Sequence, residues 1–180
     1  MALLCACEDC RQASQWAAQR GGAAPIDIYN SVYCRSDFAD IVGRDDLRAT
    51  QLRADAKSTR IYCKICHACL GIDHKVSYQD NVFMFQPVNC RPDFEADIAP
   101  CAAIGLIDYP GEIAPLPTED LPVFHTFRYP QERARLFEID AVRTAFSPPD
   151  GTTIRQLIAS LPAIEVLGLE PGACPRSDQV

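Results

Sequence analysis

A mainly β fold with antiparallel pairing and a helical C-terminal extension is predicted by three observations in this sequence. Between Ile26 and Val88, short segments alternate or are rich in β-branched and aromatic residues. Turn residues at Asp73 and Asp80-Asn81 separate those segments too closely for the crossover helices that a parallel sheet needs. Beyond residue 128 the apolar spacing changes to three and four. The predicted organisation is a β domain over 1–128 and a helical extension over 129–180.

In chain order, Glu8 to Arg20 has the Ala, Gln and Arg content of a short helix and ends at Gly21-Gly22, a helix stop. Ile26, Ile28 and Val32 alternate with polar positions; Arg60 to Lys64, Leu70 to Val76 and Val82 to Val88 read as further strands. The prolines at 100, 110, 115, 117 and 122 predict little regular ladder between Pro100 and Pro122. Pro130 can open a helix carrying Leu136, Ile139, Val142 and Phe146, stopped by Pro148-Pro149. A second helix, with Ile154, Leu157, Ile158 and Leu161, follows a cap at Thr152 or Thr153 and ends before Pro162. Both are expected to cover an open face or edge of the sheet.

Hydrophobic residues make up 48% of the 180 and charged residues 23%, which suits a packed core. The net charge of −7, with basic residues scattered, opposes a phosphate backbone and argues against nucleic acid as a partner. Met1 to Arg11 shows no basic leader, and no apolar run approaches the ~18 residues of a membrane span. The expectation is a soluble, cytoplasmic protein without a membrane partner. In such a reducing compartment, clustered cysteines more often hold metal than form disulfides.

The ten cysteines include two tight groups, Cys5-x-Cys7-x-x-Cys10 and Cys63-x-x-Cys66-x-x-Cys69. Thiolates are soft ligands that hold zinc at ~2.3 Å in a tetrahedron, and cysteines two or three positions apart can turn their sulfurs onto one ion. Three thiols beside Glu8, Asp9 and Arg11 are poor candidates for apolar packing. Three ligands in the first group leave a fourth position open, although the helix from Glu8 to Arg20 is expected to carry Cys10 away from the ion. Cys63-Lys64-Ile65-Cys66-His67 also spells the Cys-x-x-Cys-His of covalent haem attachment, which requires an exported protein and is disfavoured by the leaderless start. His67, His74 and His125 read first as packing or polar residues, although His67 and His74 lie near enough to Cys66 to substitute as ligands. Cys34, Cys90, Cys101 and Cys174 stand outside any motif and read as free thiols.

Cys5-x-Cys7-x-x-Cys10-Arg11, Asp37-Phe38, Gly43 with Leu47, Arg60-x-x-Cys63-x-x-Cys66 with Leu70, and Asp120-Leu121-Pro122-x-Phe124 together resemble the glutathione-dependent formaldehyde-activating enzyme family, which includes centromere protein V. The resemblance runs over roughly residues 3 to 126. It implies an antiparallel β-tent, or Mss4-like, zinc-binding fold and a carbon–sulfur lyase of the S-(hydroxymethyl)glutathione synthase type. It places a catalytic-type zinc on Cys5, Cys7 and Cys10, and a structural zinc on Cys63 and Cys66. In the family, the structural zinc takes two more cysteines from an upstream Cys-x-Cys hairpin, which has no counterpart in the Met1 to Leu4 that precede Cys5. Cys69 is the expected third ligand there, with His67 or His74 as fourth.

The chemistry implied is a thiol, glutathione or a similar small one, accepted at the open zinc position and activated as thiolate toward a small aldehyde. Arg11 is the expected contact for a substrate carboxylate. Tyr29, Tyr33, Glu8 and Asp9 are suited by type to proton transfer. The competing reading is a non-catalytic zinc-stabilised β module, or a truncated family member, with a structural or protein-binding role. A closed four-ligand site would favour it.

Overall fold

The computed structural model describes residues 1–37, 42–91, 99–110, 120–126, 129–145 and 148–172. Phe38, Pro115, Pro117, Phe146 and Cys174 lie outside these residues. The strands are β1 (Ala2–Cys5), β2 (Tyr29–Arg35), β3 (Leu47–Gln51), β4 (Ser58–Cys63), β5 (Cys69–His74), β6 (Val82–Phe85), β7 (Pro100–Ile104), β8 (Val123–Phe124) and β9 (Glu165–Val166). The helices are α1 (Glu8–Ala18), α2 (Pro130–Leu136), α3 (Asp140–Ala145) and α4 (Ile154–Ser160). The strands form one sheet in the order β8-β7-β1-β2-β6-β5-β4-β3-β9.

The protein is thus mainly β, and every pairing from β1 through β2, β6, β5 and β4 to β3 is antiparallel, as the close turns require. Parallel pairs occur toward the two edges, where β7 joins β1 and β8, and β9 joins β3. The proline-rich stretch corrects one expectation. Pro100 stands at the first position of β7, where a missing N–H is tolerated, and Cys101 to Ile104 carry no proline. Just after Pro122, β8 pairs with β7, and the Pro122 carbonyl accepts the Ala103 N–H at 2.9 Å.

Strand alternation divides the core in two. Leu3, Cys5, Tyr33, Tyr62, Ile72, Val82 and Met84 point to the face covered by Trp16 and Ala17 of α1, with Leu136 and Val142 of the extension. Ala2, Val32, Ile61, Phe83 and Phe85 point to the other face, under Ile154, Leu157 and Ile158 of α4. The helix expected over Leu136, Ile139, Val142 and Phe146 is broken into α2 and α3. Turn bonds from Glu138 N to Arg135 O and from Ile139 N to Leu136 O fill the gap. The break keeps Leu136, Ile139 and Val142 against one core cluster, so the periodicity is silent about it. α4 occurs where its spacing places it, opened by a capping box between Thr153 and Gln156.

Candidate metal centre

β1 ends at Cys5, whose side chain shares the α1 face with Leu3, and the chain turns straight into α1. Cys7 is the residue before the helix, and its carbonyl accepts the Cys10 and Arg11 N–H groups at 3.2 and 3.4 Å. This corrects the expectation for Cys10: one turn of helix carries it back over the strand end rather than away from the other thiols. The Cys5 Sγ lies 3.2 Å from the Cys7 Sγ and 3.9 Å from the Cys10 Sγ, and all three sulfurs fall within 4.8 Å of one another. Four sulfurs at ~2.3 Å around a tetrahedral ion sit about 3.8 Å apart, so the three thiols fit a soft metal ion with little adjustment. Among the described residues this is the sole group of three such ligands.

Hydrogen bonds from Cys5 and Cys7 hold the Cys10 thiol well below the usual thiol range, and the Arg60 charge adds to this. Bonds with Cys10 are the largest cause that pushes Cys5 and Cys7 up. Gly105 closes the site from β7. Its φ of +72° is left-handed, and a Cβ there would stand 3.1 Å from the Cys7 Cβ and backbone nitrogen.

Arg11 corrects an expectation. It is buried, its Nη1 donates to the Ala6 carbonyl at 2.6 Å and its Nη2 donates to the Asp108 carbonyl. These bonds tie the strand-to-helix turn to the loop after β7, and Arg11 is not among the residues lining the adjoining cavity. The charge beside the thiols comes instead from Arg60, buried on β4 with its Nη2 donating to the Asp9 carbonyl at 3.2 Å. Burial disfavours its cationic form, yet Cys10, Tyr62, Asp9 and Cys69 outweigh this and raise it. Among the described residues its Nε and Nη1 have no hydrogen-bond partner.

A cavity of about 550 Å³ opens over the thiols. That is in the range of small-molecule sites. Leu3, Ile72, Met84, Ile104 and Leu136 make its apolar lining; Tyr33, Tyr78, Arg53, His74, Ser77 and Arg133 add polar groups. Tyr33 and Tyr78 meet edge to face at 5.6 Å, and burial pushes both phenols up, so they remain protonated donors. Of the candidate proton-transfer groups, Asp9 is paired with Arg53 at 2.7 Å, and Glu8 accepts from Gln12 Nε2 at 3.3 Å and from Gly172 N. Tyr29 is buried, its hydroxyl accepting the Ile26 N–H at 3.0 Å.

The second cysteine group does not assemble as a trio. Cys63 and Cys66 approach each other, and the Cys63 sulfur accepts N–H groups of Cys66 and Ile65, which lower its thiol. Cys69 instead opens β5 and enters the core, where burial pushes its thiol up to about 12 and its Sγ faces the Gly71 carbonyl at 3.9 Å. His67 Nδ1 is engaged by Arg48 at 2.7 Å, and His74 Nδ1 accepts the Ser77 N–H at 2.9 Å. Neither joins a three-ligand group among the described residues. All the described cysteines, Cys34, Cys90 and Cys101 included, are free of disulfides.

Sequence reasoning passed over Arg60, Tyr78, Arg133 and Gly105 as site residues. A signal for Arg60 existed: it shares strand parity with Tyr62, on the face that carries Cys5. Arg133 had none, because helix spacing alone does not say which element a polar face meets. No family model, curated protein or solved structure matches this chain. Among the described residues, no helix is long and apolar enough to cross a membrane.

Proposed function

We propose that this protein is a zinc-dependent carbon–sulfur lyase of the S-(hydroxymethyl)glutathione synthase type, built on an Mss4-like β-tent. Cys5, Cys7 and Cys10 would hold the ion, and glutathione or a similar small thiol, bound beside them, would be joined to formaldehyde or a related aldehyde. The observation that carries the reading is the three-thiol group at the edge of a 550 Å³ cavity, a partial ligand set facing ligand-sized space. When bound, zinc lowers the pKa of a coordinated thiol and so supplies a thiolate nucleophile.

The chain's own residues account for the remainder. Sulfur adds to the aldehyde carbon, forming the C–S bond; the carbonyl π pair moves to oxygen, and that oxygen takes up a proton while the thiol has given one up. Tyr33 and Tyr78, neutral and lining the cavity, donate hydrogen bonds to the developing alkoxide. Leu3, Ile72 and Met84 exclude water around it. Arg60 offsets the negative charge of a three-thiolate ligand set.

Calorimetry on zinc-loaded protein with glutathione and S-methylglutathione tests the reading. Glutathione should bind at least about tenfold tighter, because the methylated sulfur cannot become a thiolate. Equal binding of the two, or none by glutathione, contradicts it and favours a structural role for the metal.

A further inference from the structure

The wall of the cavity contributed by α2 is basic in a chain of net charge −7, and its charge is unspent. The acidic side chains around the cavity each have a partner: Asp9 and Asp55 with Arg53 at 2.7 and 3.7 Å, Asp108 with the Glu8 N–H at 3.4 Å, and Glu8 with Gln12 and Gly172. Arg133 has none. Among the described residues its half-buried guanidinium makes no ion pair and no hydrogen bond, although it lines the cavity. Beside it stands His74, whose Nδ1 accepts N–H groups from Ser77 at 2.9 Å and Val76 at 3.3 Å. Those two bonds make Nε2 the protonated, donating nitrogen.

We infer that Arg133 and His74 form a carboxylate subsite, so that the ligand class is a small thiol that also carries a carboxylate. This rests on the thiol reading above for the sulfur end only. A guanidinium presents paired donors that match a carboxylate, and a ring N–H beside it supplies one more. The apolar side chains of Leu136, Ile72 and Met84 line the same cavity and suit the aliphatic body that joins the two ends of such a ligand. Arg133 is a binding and specificity residue here, with no part in the bond-forming step.

Titration calorimetry on the zinc-loaded full chain separates the two ends with three probes: 3-mercaptopropionate, 2-mercaptoethanol and 3-(methylthio)propionate. Wild type should bind 3-mercaptopropionate about tenfold or more tighter than 2-mercaptoethanol. Arg133→Gln should erase that advantage and abolish binding of 3-(methylthio)propionate, leaving 2-mercaptoethanol unchanged, and Arg133→Lys should restore part of it. Thermal melts of the variants exclude a folding defect as the cause. Losses that are equal for 2-mercaptoethanol and 3-mercaptopropionate, or no loss, overturn the subsite while leaving the thiol reading intact. If 2-mercaptoethanol fails to bind wild type but the methylthio probe still depends on Arg133, the thiol reading falls and the subsite stands.

Discussion

Gly105→Ala strikes the candidate metal centre without touching any of its three thiols, and its cost follows from two features of the backbone. At φ +72° an alanine sits in the left-handed region. That costs ~1–2 kcal/mol in a residue with a Cβ. The added carbon also stands 3.1 Å from both the Cβ and the nitrogen of Cys7, and 3.3 Å from its Cα, which are backbone-fixed atoms that cannot swing aside. Overpacking of this kind costs ~1–3 kcal/mol. Together they give roughly 2–5 kcal/mol, a large part of the ~5–15 kcal/mol that holds a domain together. Any relief must come from moving Cys7 by tenths of an ångström away from Cys5 and Cys10. Urea unfolding and zinc affinity by chelator competition should therefore fall together. Gly43→Ala is the control, because its φ of +81° is equally left-handed but nothing lies within 4 Å of its added Cβ. It should lose stability by the backbone cost alone, with zinc affinity unchanged. Equal behaviour of the two variants in both assays would refute the argument.

Two further outcomes follow from local chemistry. In metal-free native protein, Cys63, lowered by the N–H groups of Cys66 and Ile65 on its sulfur, should react with iodoacetamide at lower pH than free cysteine. Cys69, pushed up to about 12 by burial, should resist over the same range. Mass spectrometry showing both labelled at the same rate contradicts the two environments. Thr153→Ala removes the oxygen that accepts the Gln156 N–H and the hydroxyl that donates to Asp80 at 2.9 Å. The loss should be ~1–2 kcal/mol in urea unfolding, and a change of only a few tenths would show that α4 does not depend on this cap.

The sequence made the middle strands legible because alternation survives wherever one face meets α1 and the other meets α4. It hid β7 and β8, whose proline-rich surroundings argue against a ladder although Pro100 needs no donor at its position. The spacing of the first cysteine group was legible, but the place of Cys10 was not: a helix from Glu8 is expected to carry it away from the ion, whereas the first turn of α1 brings it back over the strand end. The second was not: spacing alone cannot say that Cys69 begins a strand whose side chain enters the core. Arg11 misled for a similar reason. Adjacency to a ligand in sequence places it on α1, where its guanidinium reaches backbone carbonyls rather than the cavity. Residues from β4 and α2, more than forty and one hundred positions away, supply the charges instead, and only the folded sheet brings them there.

The proposed function requires that Cys5, Cys7 and Cys10 hold an ion that can also take a thiol. Zinc X-ray absorption on protein carrying Cys63→Ser and Cys66→Ser, loaded with one equivalent of zinc, counts the sulfurs directly. Three sulfurs at ~2.3 Å with one lighter ligand are expected, changing to four sulfurs when glutathione is added and remaining at three with S-methylglutathione. Four sulfurs before any thiol is added, or three after glutathione saturates the sample, would contradict it.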